Sequence, residues 1–545
     1  MPEAGAGRGA QAPLCVTKEP VFGAWDWAAF ILLSWLGLVA IAVFVVRWFS
    51  IGRGHHPLIF IIVTGLSAAL LVNQQGRWFL LLPMRRPVPM PATPGCRVAV
   101  VTTHVPDAES VEMLEETLRA LIAIDYSHDT WLLDEGDSFT IRDLCRRLGV
   151  RHFSRRDMPQ YQAAGGTFRS GSKHGNYNAW LHHIGFSQYD FLVAFDPDHL
   201  PIPSYVSQTL GFFRDPRIGY VQAAQAFYNQ RVSVVARGAA EETYAYYSAV
   251  QMASYGLNYP IIVGSHNSHR MAALEAIGGL AAHDADDLLL TLKYRSAGWE
   301  GVYVPQILAR GLAPVDWRGY LAQQRRWARS VLDLKLRHRA PYAPKLPLSS
   351  RMMSFLHGFN FLHRSVAFLG LVCILVYLLA SRQTLDVLSS RMVLPTVGLL
   401  VALQLQELYR QRFYLDWRTE SGLHLRSALL EYAKWPWFLL ALLDAIVGRR
   451  MQYTITRKTP RTGVFLKFVA WNIGIAVLVT GAWTWGRIRG GEDPRLTLFA
   501  APVVLVSLGL AAGGLKEPPP PYTAGLWNPG TGAPPAPEPA TGTSG

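Results

Sequence analysis

The chain has 545 residues, 50% of them hydrophobic and only 17% charged, with a formal net charge of +14. That length implies more than one structural unit, and that composition is too apolar and charge-poor for a purely soluble protein. No nucleic-acid-binding module accompanies the basic excess, so nucleic acid is not expected as a partner. The charge is assigned instead to membrane-proximal surfaces and to sites for anionic substrates. Four scattered cysteines, Cys15, Cys96, Cys145 and Cys373, have neither metal nor disulfide spacing.

The apolar residues fall in blocks. Residues 28–46 carry no charge over nineteen positions, enough to cross a bilayer core. Residues 58–82 predict a second crossing, interrupted by Asn73–Gly76 and Arg77 and closed by Arg85 and Arg86. No small-residue cleavage site follows the first block closely, so it reads as an anchor. Further spans are predicted at 365–381, 392–406, 468–486 and 496–515, six in all. Residues 435–443 are too short and contain Pro436, which suits an interfacial helix. Residues 410–461 hold ten Lys/Arg against four Asp/Glu, which places them in the cytoplasm. An even number of crossings then puts both termini and the large polar domain there too. The expected layout is a cytoplasmic tail (1–24), two transmembrane helices (25–86), a cytoplasmic domain (96–349), and four transmembrane helices with an interfacial helix (350–515). A disordered Pro/Gly-rich tail (516–545) ends the chain.

Within the polar domain, residues 97–103 (RVAVVTT) predict a strand and 110–124 a helix, with Leu114, Leu118, Leu121 and Ile122 along one side. A second strand at 130–133 ends in Asp134-Glu135-Gly136-Asp137, and 140–148 read as the next helix. This is the first half of a nucleotide-binding α/β unit without a Gly-x-Gly-x-x-Gly or Walker loop. Asp134, at a strand end, suits either a hydrogen bond to a base or ribose, or the N-cap of the helix that follows. Lys173 opens a predicted helix, where it can meet a phosphate or face solvent.

The run 191–195 (FLVAF) reads as a buried strand, closed by Asp196-Pro197-Asp198. Two hard oxygen ligands at the carboxyl end of a strand suit Mg²⁺ or Mn²⁺ carrying a diphosphate; a solvated turn is the plainer alternative. Residues 261–263 lead into Gly264-Ser265-His266-Asn267, expected to be a loop able to approach a sugar. His174, His199 and His266 lack zinc-site spacing and are read as polar pocket or surface residues. Asp286 and Asp287 fall in the first turn of a helix, where they complement its dipole or supply a general base. In a helix Gln323, Arg326 and Trp327 share one side, offering an amide, a guanidinium fork and a flat aromatic face.

Taken in order, these motifs resemble the membrane-embedded family 2 glycosyltransferases of the cellulose synthase type. The matching residues are Asp134-Glu135-Gly136, Lys173-His174-Gly175, Asp196-Pro197-Asp198, Ala285-Asp286-Asp287, Gln323 through Trp327, and Tyr453 through Lys458. Gln222 through Asn229 also resembles the family's donor-site segment. The resemblance implies an α/β fold: a cytoplasmic GT-A-type glycosyltransferase domain inserted between about six membrane spans. It implies a UDP-sugar donor, Mg²⁺ or Mn²⁺, a polysaccharide acceptor, a lipid bilayer in the plasma or inner membrane, and an accessory export subunit as partner. Carried over by residue, Asp134, Lys173, Asp196 and Arg326 would bind donor and diphosphate, with Asp198 and Asp196 on the metal. Asp287 would be the base, Gln323 and Trp327 would contact the acceptor, and Thr456 and Lys458 would belong to a gating loop. Glu135, His174 and the Ala285-Asp286 pair depart from the family pattern. The implied reaction is inverting transfer of glucose from UDP-glucose to a β-glucan with translocation. The alternatives are another UDP-sugar such as UDP-N-acetylglucosamine, single transfer to a lipid carrier, or a silent export channel.

Overall fold

The computed structural model describes residues 14–51, 57–106, 108–381, 389–449, 463–490 and 494–516. The segment Tyr453–Lys458, with Thr456 and Lys458, lies outside the described residues, as does the tail beyond 516. Near the N-terminus β1 (Lys18–Pro20) pairs antiparallel with β2 (Arg85–Pro87). The Val16 amide donates to Asp215 at 3.0 Å. The described part of the expected N-terminal tail is therefore tied onto the α/β domain.

That domain is built on one eight-stranded mixed sheet, comprising β3 (Val98–His104), β4 (Asp129–Asp134), β5 (Arg151–Phe153), β6 (Phe191–Phe195), β7 (Leu200–Pro201), β8 (Ile218–Phe227), β9 (His266–Arg270) and β10 (Glu300–Gly311). The order across it is β5-β4-β3-β6-β9-β8-β10-β7. β3, β4, β5 and β6 run parallel, whereas β9 is antiparallel to both β6 and β8. Strand β3 is buried at every position because both sheet faces are covered. Its alternation sends Val98 and Val100 to one core, with Leu114, Leu118 and Leu121, while Ala99 and Val101 join Trp131, Tyr177 and Trp180 on the other face. The chain runs from β3 outward to β4 and β5, then returns to place β6 on the other side of β3. The carboxyl ends of β3 and β6 thus flank a topological switch point, where open α/β sheets bind ligands.

Five described helices are long and apolar enough to cross a membrane: Ala24–Ile51, Pro57–Phe79, Ser390–Phe413, Leu466–Ile488 and Arg495–Leu515. They define a multi-pass membrane protein. The sixth expected crossing lies in the helix Phe359–Ser381, whose apolar part, Val366–Ser381, falls short of that length. The expected short interfacial stretch is the middle of a longer helix, Leu425–Val447, which carries Pro436 internally and buries Lys434 and Asp444. It packs through Phe438 and Ala441 on Ala328 of the helix Trp317–Asp333.

Candidate active site

The Asp-x-Asp turn is held by backbone. The Asp196 amide donates to Ser265 O at 2.7 Å, and Thr117 Oγ1 donates to Pro197 O at 2.7 Å. Asp198 is 1% exposed, accepts from the Leu312 amide at 3.3 Å and lies 3.2 Å from His199 Nδ1. Asp196 faces the cavity and receives Lys173 Nζ at 2.5 Å; the same ammonium donates to Gly264 O at 2.6 Å. Burial pushes the Lys173 ammonium down most strongly of any single cause, but Asp196, together with Tyr177 and Asp286, outweighs it and raises it. Lys173 sits at the start of the helix Lys173–Trp180, capped by Ser172. Gly175 is required there, because a Cβ would meet Arg169 O at 2.2 Å.

Asp196, Asp198 and His199 bring one ligand atom each within 4.8 Å of one another. His199 is thus a polar residue of the cavity wall and not of the surface, being 3% exposed, and it stands beside the two carboxylates. Gln225 Nε2 lies 3.2 Å from His199 Nε2, while its Oε1 accepts from Tyr247 and Ser265. Gln225 therefore donates to His199, whose Nδ1–H faces Asp198 and orients it. The two carboxylates suit Mg²⁺ or Mn²⁺, with His199 orienting Asp198 from behind because both of its ring nitrogens are already engaged. No signal in the sequence separated His199 from an ordinary turn residue.

On the β4 side Asp134 is fully buried, accepting from the Gly136 amide at 3.0 Å and from His152 Nε2 at 3.3 Å. Burial pushes its carboxyl up, but the His152 and Gly136 hydrogen bonds win and hold it below the usual range. It is not the helix cap, which is Ser138. His104, at the end of β3, is 4% exposed and has its Nδ1 3.7 Å from Asp134. Glu135 pairs at 2.5 Å with Arg155, which is wholly buried and also donates to the carbonyls of Tyr161, Phe168 and Arg169. The longer Glu side chain thus has a structural use.

Asp287 opens the helix Asp286–Ser296 and accepts from the Leu288 amide at 2.7 Å and from Gly264 N at 3.2 Å. Burial, and then the Asp286 charge, push its carboxyl up to about 7. The Gly264 peptide links the two halves of the site, with its carbonyl on Lys173 and its amide on Asp287. Gln323, Arg326 and Trp327 lie on the Trp317–Asp333 helix, and Trp327 is 41% exposed. Lys173, Asp196, Asp198, His199, Gln225, Gly264, Asp287, Gln323, Arg326 and Trp327 all line one cavity of about 2120 Å³. That cavity continues between the membrane helices, past Asn73, Gln74, Arg77, Gln404 and Glu407. Asp134 does not line it, although Glu135 does.

Other expected contacts are structural. Gln222 is buried and knits β8 to β9 through Ala223 O, His266 O and the Val263 amide. Asn229 exchanges two hydrogen bonds of 2.8 Å with Ala313. His174 is 2% exposed and lies against Ser172, so it is neither pocket nor surface. His266 and Asn267 are not loop residues but part of β9; burial pushes the His266 imidazole down to about 3.

The profile of the family described as "Glycosyl transferase family group 2" matches residues 191–406, from β6 into the Ser390–Phe413 helix. Cellulose synthase 2 of Novacetimonas hansenii is 27% identical over 260 residues, covering 46% of this chain and 15% of that protein. The UDP-forming cellulose synthase catalytic subunit of Xanthomonas axonopodis pv. citri (strain 306) is 26% identical over 310 residues, covering 53% of this chain and 40% of that one. The chain thus spans well under half the length of these curated relatives. Among solved structures, a mannosyltransferase of Pyrobaculum calidifontis in complex with GDP-Man and Mn²⁺ aligns with a TM-score of 0.49 at 18% identity, over 72% of this chain and 99% of that one. The chain is thus similar, at a distance, to group 2 glycosyltransferases and to cellulose synthases.

Proposed function

We propose that the protein is a UDP-forming hexosyltransferase with a GT-A-type domain that transfers glucose from UDP-glucose, with inversion, to a growing β-glucan and passes the product between its membrane helices. The observation that carries this reading is the cavity, which joins Asp196, Asp198, Asp287 and Trp327 to the space between the membrane helices. The single sheet with its Asp-x-Asp at the switch point supports the GT-A assignment. The basic segment 410–461 supports a cytoplasmic catalytic domain and a plasma- or inner-membrane location.

In this reading Asp198 and Asp196 would hold Mg²⁺ or Mn²⁺, with His199 orienting Asp198; the ion would supply positive charge to the departing diphosphate. Lys173 balances the Asp196 charge and hydrogen-bonds Gly264, so the donor side is stiff before substrate arrives. Arg326 offers its fork to the diphosphate oxygens as the glycosidic bond to UDP breaks. Asp287 takes the proton of the incoming hydroxyl, whose oxygen attacks C1 from the face opposite the leaving group; one displacement inverts the centre. A carboxyl near 7 is a stronger base than an ordinary aspartate yet ionises at neutral pH. Gln323 and Trp327 receive the acceptor sugar, while Asp134, which is buried and does not line the cavity, is assigned to the nucleoside end of the donor on the family resemblance alone. Thr456 and Lys458 are assigned to a loop over the donor on the family resemblance alone. An accessory export subunit would take the product beyond the membrane.

The test is turnover of purified protein against a panel of UDP-sugars, with linkage analysis of the product. Polymeric β-linked glucose is expected. A preference for UDP-N-acetylglucosamine, or a single sugar on lipid, would replace the donor or the processive part of the reading.

A further inference from the structure

His283, two residues before Ala285, lies behind the cavity wall with its side chain 8% exposed. Its Nδ1 accepts the Ala285 amide at 2.9 Å, and its Nε2 meets Asp333 Oδ2 at 3.3 Å. Asp333 closes the Trp317–Asp333 helix, about two turns beyond Arg326 and Trp327. It is anchored by Arg337 at 2.6 Å and Arg329 at 3.5 Å. Those arginines in turn donate to the carbonyls of Ile446 and Arg449 at the end of the Leu425–Val447 helix.

His283, Asp333 and His338 also have the convergence of a three-ligand metal site. The tautomer argues against it. A backbone amide can only donate, so Nδ1 of His283 carries no proton and the proton of the neutral ring sits on Nε2, directed at Asp333. A metal on Nε2 would move that proton to Nδ1, against the Ala285 N–H. Two guanidiniums on the same carboxylate further disfavour a cation. Burial pushes the His283 imidazole down, which keeps the ring in the neutral form that this pair of hydrogen bonds requires.

We propose that His283 is a positioning residue: by accepting from Ala285 and donating to Asp333, it locks the acidic turn bearing Asp287 to the helix bearing Arg326 and Trp327. It fixes the distance between the group that removes the proton and the groups that hold acceptor and leaving group. The inference rests on the reading of Asp287 as the base. Ala285, the N-cap residue, has no side-chain oxygen to cap the Asp286–Ser296 helix; Arg169 ties the turn at Asp284, and His283 is the contact that links it to the Trp317–Asp333 helix.

The experiment compares full-length His283→Ala, His283→Gln, His338→Ala and Asp287→Asn, purified in lipid and assayed with the best donor of the UDP-sugar panel. For His283→Ala, kcat falls ~10- to 100-fold, the range for a small misplacement of reacting groups, while donor KM stays within about twofold. Gln presents an acceptor and a donor on one planar group, so His283→Gln recovers most of the lost kcat. His338→Ala is unchanged. Full kcat in His283→Ala, or no recovery in a folded His283→Gln, overturns the inference. So does a stoichiometric metal lost in both His283→Gln and His338→Ala. An inactive Asp287→Asn beside a fully active His283→Ala removes this inference alone, whereas an active Asp287→Asn removes the base reading and the inference with it.

Discussion

Asp287→Asn separates chemistry from stability because the two respond to pH in opposite ways. A carboxyl moved from near 4 to about 7 has its charged form disfavoured by roughly 4 kcal/mol. Below pH 4 folded and unfolded forms both hold the proton, and this stability is fully present. It is lost as pH rises through 7 and the folded carboxyl ionises. Asn stays neutral, but its one oxygen can accept from only one of the Leu288 and Gly264 amides, which costs about 1 kcal/mol. Water in the cavity screens part of the penalty, so the expected net gain for Asp287→Asn at pH 8 is about 1–2 kcal/mol. At pH 5 the variant should instead be slightly less stable than the parent. Thermal midpoints in detergent at the two pH values read this reversal. Transfer should fall by roughly 10²–10⁴-fold, and parent activity should rise with pH through 7. A stability difference of the same sign at both pH values, or transfer within tenfold of the parent, would refute the reasoning.

Asp198→Asn should abolish metal-dependent turnover, because one anionic ligand is lost while the His199 contact is retained; unaltered response to a Mg²⁺ titration would remove the metal role. Trp327→Ala should shorten the polymer with donor binding unchanged, since only the aromatic face in the cavity is lost; unchanged product length would sink its acceptor role. Arg155→Met removes the cation paired with Glu135 and the donor to the Tyr161 carbonyl at a wholly buried site, while the Phe168 and Arg169 carbonyls keep the Ala163 amide and Ser172 Oγ; it should destabilise by roughly 3 kcal/mol. A midpoint equal to the parent's would show that the loop re-forms without it.

The strands that the sequence made legible were those whose burial follows from their own composition. FLVAF and RVAVVTT are apolar runs bounded by turn residues, and β6 matches the predicted 191–195. Strand β9 is HNSHR, which no propensity scale favours. It is a strand because its polar groups are satisfied inside the domain, His269 by Asn267 and Tyr294 and His266 by Ser265 and Ala224 O. Two of these partners, Tyr294 and Ala224, are distant in sequence and invisible to a local reading. The same limit hid His199, Gln225 and His283: each acts through a contact fixed only by the sheet order or by helix packing. Lys173 was legible as a residue at a helix start, but its link to Asp196 and, through Gly264, to Asp287 was not.

The membrane part shows the same division. Composition locates the apolar helices but not which side of each faces protein. In lipid a charged or amide side chain is costly, so polar residues within a span must turn inward. Asn73, Gln74 and Arg77 on one helix and Gln404 and Glu407 on another do so, lining the cavity that continues from Asp196 and Trp327. Gln406 instead packs against Gly37, donates to Leu33 O at 3.1 Å and accepts from Gln75 at 3.0 Å. It joins three helices where a larger residue than glycine would collide. Adjacent polar positions thus divide the work: Gln406 holds the helices together, while its neighbours furnish hydroxyl-compatible walls. A wall of amides and ion-paired charges suits a chain of sugars, whose hydroxyls need hydrogen-bond partners throughout passage, better than it suits an apolar lipid tail.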